Sequence, residues 1–163
     1  MSIATSRAAA LADQYTQAIA DLLAVVEPAT LAQWRTPCIN EGRSVGVLVH
    51  HIGTMAGVIR AFVEQVVQGE SLPPLTQEMI DHNNARHAET YANAGPDETL
   101  ALLRHNSAAA AAFIASLSEA QLNMGTALPA FNLSQASAGQ MVEFLLIGHT
   151  LGHLASIQSA IAL

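Results

Sequence analysis

The chain has 163 residues, which is the size of one domain and enough to bury a core without disulfide bonds or a metal. Apolar residues make up 51% of it and charged residues 12%, a balance that excludes intrinsic disorder. The net charge of −7 argues against a nucleic-acid partner, and the single cysteine excludes a disulfide framework and an all-cysteine zinc site.

The first half of the chain predicts two long helices joined by an irregular connection. The first helix is expected over residues 6–27, where alanine is abundant and a proline follows. Residues 34–43 contain a proline and a glycine, which oppose helix. Ser44 is then an N-cap for a second long helix that ends near Gly69, before a proline-containing linker at residues 71–75.

The second half predicts a shorter helix followed by two long ones. Thr76 caps a short helix that reaches about residue 93, and a Gly-Pro-Asp sequence opens the next helix over residues 95–117. Two Ser-x-x-Gln patterns are typical of capping boxes, one before a short turn and one before the last helix: Ser118 with Gln121, and Ser137 with Gln140. No run of alternating β-branched residues predicts a strand.

This order of elements predicts an all-α fold. Four long helices and one shorter helix, joined by connections of moderate length, are typical of a four-helix bundle with one extra helix. Because the sequence has no internal repeat, we expect a single domain over residues 1–163.

Neither end of the chain has the pattern of a targeting or membrane segment. Residues 1–20 lack a basic start with a purely apolar stretch, because Asp13 and two glutamines interrupt the run. Residues 141–163 are very apolar, but they contain Glu143, two histidines and a glutamine, which are unfavourable at membrane depth. We therefore expect a buried bundle helix there, no membrane partner and a cytoplasmic protein.

Histidine is unusually frequent for a chain with so few charges, at positions His50, His51, His82, His87, His105, His149 and His153. A neutral imidazole is the commonest metal ligand, and it is also tolerated half-buried in a core. His149 and His153 lie about 40° apart around a helix axis and one turn apart along it, so both rings can reach one point. The alternative is that the two rings are half-buried and hydrogen-bonded to neighbouring side chains. Buried imidazole nitrogens need polar partners, and one cation shared by both rings would supply them.

The second helix offers a third ligand. Its apolar stripe runs from Val45 to Val66, and at about 100° per residue His51 falls at the edge, where the ring can lean toward a partner helix. His50 falls on the side of the helix opposite the apolar stripe. We therefore expect it either to face solvent or to support the site from outside the ligand set, without binding the metal itself. The predicted metal ligands are therefore His51, His149 and His153.

Three imidazoles leave coordination positions open, as at catalytic rather than closed structural sites. They suit zinc, nickel, copper or iron, and they argue against magnesium or calcium, which prefer oxygen ligands. The residues alone do not select among the four transition metals.

The shorter helix is either a polar surface helix or a lid over such a site. Asn84 and His87 lie three residues apart and share a face, so in the second interpretation Asn84 or His87 contacts the substrate. His82 lies on a different face from His87, and His105 is expected on a solvated face. No Gly-x-Ser-x-Gly, phosphate-binding or dinucleotide-binding motif is present, and Cys38 has no base at a fixed spacing.

Gly148 and Gly152 lie on a face next to the two histidines of the last helix. They favour the close approach of another helix within the chain. A homodimer built on the apolar last helix is the alternative.

Four segments together resemble the DinB-like (DinB/YfiT) superfamily of helical bundles, and they span nearly the whole chain. They are EGRSVGVLVHHI at residues 41–52, NARHA at 84–88, LPAF at 128–131 and IGHTLGHL at 147–154. The resemblance implies a four-helix bundle whose ligands His51, His149 and His153 hold a divalent metal, usually nickel or zinc, with water in the open positions. Its relation to thiol-dependent S-transferases implies a low-molecular-weight thiol as a further cofactor.

One position departs from the family pattern. Relatives often carry an acidic or polar residue directly before the final histidine, whereas this chain has Gly152. The departure removes one candidate hydrogen-bond acceptor for His153, and such acceptors orient metal-ligating rings.

Two classes of function follow. In the first, the metal site belongs to an enzyme that acts on a small molecule by hydrolysis or by transfer of a low-molecular-weight thiol. In the second, the protein is a non-catalytic bundle, a small-ligand-binding module or a stress-linked homodimer, with a vestigial or absent metal site. No catalytic acid or base is assigned, and Glu143 and Asp81 are candidates by residue type only.

Overall fold

The computed structural model describes residues 6–162 as seven helices and two short antiparallel hairpins. The helices are α1 (Arg7–Val26), α2 (Leu31–Trp34), α3 (Val45–Val67), α4 (Gln77–Thr90), α5 (Pro96–Ala115), α6 (Glu119–Leu122) and α7 (Ala138–Ile161). The hairpins are β1 (Pro37–Cys38) with β2 (Arg43–Ser44), and β3 (Gly125–Leu128) with β4 (Leu133–Ser137). Residues 1–5, which begin the segment considered for a targeting signal, and Leu163 lie outside the described residues.

The four long helices confirm the predicted all-α four-helix bundle, with α4 as a shorter extra helix. Helices α1 and α3 each pack between α5 and α7, so α1 lies diagonally across from α3. Each long helix contributes a fully buried side chain to the common core: Leu22, Leu48, Leu103 and Ile157. Burial of such a side chain stabilises the fold by about 1.5–3 kcal/mol, so this core holds the bundle together.

Hydrogen bonds at the helix starts confirm the predicted caps. The Ser44 hydroxyl accepts from the Val47 N–H at 3.4 Å and so caps α3. Both capping boxes form, because at α6 and α7 the serine hydroxyl accepts from the glutamine N–H while the glutamine side chain accepts from the serine N–H. An N-cap bond of this kind is worth about 1 kcal/mol of helix stability.

The two hairpins occupy segments in which we expected no strands. In the first, Pro37 lies opposite Ser44 and Cys38 opposite Arg43. Its turn contains Gly42 at φ +63°, a left-handed conformation that favours glycine. Strands this short show too little alternation of side chains to be recognised in a sequence. The first hairpin nevertheless matters for the site, because β2 is followed directly by α3.

Gly46 allows the buried Trp34 ring to lie on the first turn of α3. A Cβ at position 46 would stand 2.2 Å from Trp34 Nε1. The same Nε1–H donates to the Ala94 carbonyl at 3.2 Å. The indole therefore ties the start of α3 to the segment before α5.

Helix α7 is less buried than its apolar sequence led us to expect, and the expectation of a mostly buried helix is wrong. Phe144 and Leu151 are 54% and 45% exposed. Residues Val142–Gly148 are π-helical. A π segment changes the helical phase, so the apolar residues on its two sides do not share one face.

The expected close packing at Gly148 and Gly152 is also wrong. A Cβ at position 148 would meet the Glu143 carbonyl of the same helix at 3.2 Å, and one at position 152 would meet nothing within 4 Å. Both glycines are exposed. Within residues 6–162, therefore, no other helix packs against them.

Two helices, α3 and α7, are long and apolar enough to cross a membrane by length and composition alone. The core helix of a soluble protein passes the same test, and 61% of the most apolar window of α3 is buried inside the bundle. The absence of a membrane partner stays a prediction.

Candidate metal centre

Three histidine rings from two neighbouring helices meet at one point. His149 Nε2 lies 3.1 Å from His51 Nε2 and 3.1 Å from His153 Nε2. The ligand atoms that the three rings offer all lie within 4.8 Å of one another. His51 comes from α3 and the other two from α7, which packs against α3. The structure thus brings together the three residues selected by helical spacing.

Burial keeps these rings neutral near pH 7. It lowers the pKa of His51 to about 2 and that of His149 to about 4. Burial also lowers the pKa of His153, against the opposing effect of the Glu41 carboxylate. A neutral imidazole keeps a nitrogen lone pair, which is what a metal ion needs.

Glu41 orients the His153 ring. His153 Nδ1 donates to Glu41 Oε1 at 2.8 Å, which leaves the lone pair on Nε2. The Ser156 hydroxyl donates to the same oxygen at 3.1 Å, and Arg43 Nη2 donates to Glu41 Oε2 at 2.9 Å. The acceptor that Gly152 does not offer is therefore supplied by the β1–β2 turn.

The Glu41 carboxylate is ionised at neutral pH. Burial raises its pKa, but the hydrogen bond and charge of His153, together with Arg43 and Ser156, outweigh burial and lower the pKa. Sequence reasoning missed this residue as part of the site. The signal that could have identified it is its position, an acidic residue next to a turn glycine directly before the helix that carries His51.

The three rings fit a divalent transition metal. Tetrahedral zinc–imidazole bonds of about 2.0–2.1 Å place the ligand nitrogens about 3.4 Å apart, close to the separations of 3.1 Å seen here. His149 Nε2 can carry only one proton. Without a cation, that proton can form a hydrogen bond to only one of the two other Nε2 atoms. The donor set therefore matches a three-histidine site with open coordination positions.

His50 is buried, so the first of its two alternatives, a ring that faces solvent, is wrong, and a place outside the ligand set in support of the site stays a prediction. Its Nδ1 lies 2.9 Å from His87 Nε2, and its ring stacks on Tyr91 with the centroids 3.7 Å apart. His87 belongs to α4 and Tyr91 is the C-cap residue of that helix, none of whose residues is fully buried. The centroid of the His87 ring is 5.4 Å from that of His51, so α4 lies against the histidine cluster.

A cavity of about 990 Å³ opens beside the three rings. Its walls come from α3, α4, the linker between them and the β3–β4 hairpin, and they include Asn84 and His87. The α3 wall runs from His51 to Phe62, about 16 Å along the helix axis. Ligand cavities commonly measure about 300–1,000 Å³, so this one suits a small molecule.

The remaining candidates lie away from this cavity. His82, His105 and Asp81 are exposed, Glu143 is half-buried on α7, and none of the four lines the cavity. Cys38 is 1% exposed, and burial raises the pKa of its thiol. It is therefore an unreactive core residue rather than a nucleophile.

Glu41→Gln is expected to raise the Kd for zinc about tenfold or more. The substitution keeps the shape and one acceptor oxygen but removes the charge that orients and polarises His153. Titration of the metal-free protein with zinc against a competing chelator measures the change. Glu64→Gln breaks only the Arg60–Glu64 pair on α3 and is the matched control. An equal Kd for the two variants would contradict the role of Glu41.

Comparison with known proteins relates this fold and site to a family. The model of the DinB superfamily matches residues 14–159. YfiT from Bacillus subtilis, described as a probable metal-dependent hydrolase with an unusual four-helix bundle topology, matches with a TM-score of 0.72. The two are 20% identical over 98% of this chain and 88% of that chain, a likeness that shows a shared fold. The comparison with curated proteins gave no match. Because the family model covers most of the chain, this protein belongs to the DinB superfamily.

Proposed function

We propose that the protein is a metal-dependent enzyme that hydrolyses a small molecule. The observation that carries this proposal is the convergence of the His51, His149 and His153 Nε2 atoms beside a cavity of about 990 Å³. YfiT, which shares the fold, is described as a probable metal-dependent hydrolase. The ligand set suits nickel or zinc.

Each residue of the centre has a separate task. The three Nε2 atoms would hold the ion, and Glu41 keeps the ring proton of His153 on Nδ1. A divalent metal supplies Lewis-acid chemistry, which makes water nucleophilic near neutral pH. Arg43 lines the cavity and, through its hydrogen bond to Glu41 Oε2, holds the carboxylate that orients His153.

Two alternatives compete with hydrolysis. In thiol transfer, the low-molecular-weight thiol would come from solution, because Cys38 is buried. In the non-catalytic alternative, the bundle only binds a small ligand. Both alternatives use the same cavity, so the reaction products have to distinguish them.

The metal-loaded protein is expected to release p-nitrophenolate from p-nitrophenyl esters. Protein purified without a nickel column is stripped with a chelator and reloaded with one equivalent of zinc or nickel. Hydrolysis should require the metal and should be absent in His149→Ala. Transfer of an added small thiol to an alkylating acceptor, with release of the acceptor's leaving group and without ester hydrolysis, would favour thiol transfer. A folded, metal-loaded protein with neither activity would favour the non-catalytic bundle.

A homodimer built on α7 and a cytoplasmic location stay predictions. The exposed Phe144 and Leu151 side chains give α7 an apolar surface outside the bundle. Light scattering on the eluted protein measures the molar mass, and a dimer has twice the 17.1 kDa of the chain.

A further inference from the structure

The walls of the cavity carry positive charge in a protein that is acidic overall. The chain has 13 acidic and 6 basic residues. Arg43 and Arg86 nevertheless line the cavity, whereas no carboxylate among residues 6–162 does. Arg43 is paired with the Glu41 carboxylate at 2.9 Å, whereas Arg86 has no ion-pair partner among residues 6–162, so the charge of Arg86 favours an anionic ligand over a cationic one at this wall.

Two buried polar atoms of the lining residues have no hydrogen-bond partner within residues 6–162. Arg43 Nη2 donates to Glu41, but Arg43 Nη1 is unpaired. His87 Nδ1 is also unpaired. Buried polar groups are nearly always hydrogen-bonded in native proteins, so each exception requires an explanation. An acceptor oxygen of a ligand provides one for Arg43 Nη1, which always carries protons, whereas His87 Nδ1 needs a donor or an acceptor according to its tautomer.

Most of the remaining surface of the cavity is apolar. The α3 wall extends about 16 Å from the histidine cluster, and the linker and α4 face it with further aliphatic side chains. The apolar side chains that line the cavity include Met55, Val58, Phe62, Leu72, Leu75 and Ile80. A wholly polar substrate would gain nothing from contact with this surface. A long apolar chain would be transferred from water onto it, which is favourable.

We propose that the cavity binds a long-chain carboxylate, with the carboxylate beside Arg43 and the three histidines and the aliphatic chain along α3 toward Phe62. As a statement about substrate, this rests on the proposed hydrolase function: the carboxylate is the acid product of a long-chain acyl ester. In that reaction water adds to the acyl carbon and the ester C–O bond breaks. The alcohol leaves with one proton, and the acid releases the other to solvent as it ionises.

Binding of dodecanoate to the metal-free and zinc-loaded protein tests the proposal by calorimetry, below the micelle concentration. We expect one site per chain. Acetate, which has the same head group, should bind more than about a hundredfold more weakly because it lacks the apolar chain. Dodecyltrimethylammonium, which has the same tail and a positive head group, should not compete. Equal binding of this cation would overturn the anionic head group.

Variants test the two ends of the site separately. Arg43→Gln should weaken dodecanoate binding about tenfold or more, because a charge-assisted hydrogen bond is lost. Val58→Glu should abolish binding at the apolar end while zinc binding is unchanged, and it decides the matter if Arg43→Gln does not fold. Arg35→Gln removes the same charge from an exposed site outside the cavity and is the control. Unchanged binding in both cavity variants would overturn the proposal.

The proposal and the hydrolase function fail in different ways. Dodecanoate binding without hydrolysis of any ester would support the ligand class and contradict the hydrolase. Hydrolysis of acetyl and dodecanoyl p-nitrophenyl esters at equal kcat/KM, with no dodecanoate binding, would support the hydrolase and overturn the ligand class.

Discussion

His149→Ala is expected to abolish metal binding and leave the bundle folded. His149 Nε2 is the central atom of the cluster, 3.1 Å from both other Nε2 atoms. Its loss leaves two ligands on different helices, so the Kd for zinc should rise by more than the roughly 10–100-fold found when an outer hydrogen-bond partner of a ligand is lost. The metal content should fall from about one equivalent to below about a tenth. Elemental analysis after dialysis against buffered zinc measures it.

Circular dichroism separates this effect from unfolding. The ring of His149 is only half-buried, and its removal also relieves the close contacts of its Nε2 with the Nε2 atoms of His51 and His153. The helical signal should therefore match that of the metal-free parent. His105→Ala, on an exposed face of α5, is the control and should retain one equivalent of zinc. A His149→Ala variant that still holds one equivalent would show that the cluster is a packing feature.

The metal-free protein is expected to lose stability as the pH falls below 6.5. In the folded state burial lowers the pKa of His51 to about 2 and that of His149 to about 4, whereas the unfolded chain has values near 6.5. Between pH 6.5 and about 4 the unfolded chain therefore binds protons that the folded chain excludes. Each such group makes the free energy of unfolding fall by up to about 1.4 kcal/mol per pH unit.

Urea unfolding at several pH values from about 7.5 to 4.5 measures this dependence. Above pH 6.5 both groups are neutral in the folded and in the unfolded state. These two groups should therefore make no contribution to the pH dependence of the free energy of unfolding in that range. His51→Asn should reduce the slope below pH 6.5 by the share of one group. Equal slopes for the parent and His51→Asn would contradict a buried neutral His51.

Local chemistry made the helices and two of the ligands predictable. A serine hydroxyl caps a helix by accepting from an N–H three residues later. Ser44, Ser118 and Ser137 therefore predict where their helices begin, and this prediction requires no knowledge of the fold. In the same way, the spacing of His149 and His153 determines that both rings reach one point. His51 could be selected because the apolar stripe of its helix shows which side meets the bundle.

Contacts between distant segments were not predictable from these patterns. Glu41 meets His153 across 112 residues, and His50 meets His87 across 37, because the β1–β2 turn and α4 return to the same end of the bundle. Periodicity places a residue on a face of its own helix, but it does not say which segment arrives there.

The amino-acid sequence by itself determined the helices, their caps and the face on which each ligand lies, because these depend on contacts within about one helical turn. Only the tertiary structure decided that α7 stays half-exposed within and after its π segment, and that Glu41 orients His153. It also decided that, of the described residues, two arginines and no carboxylate line the cavity. Those properties depend on how helices cross and where connections run, and they are set by the packing of the whole chain.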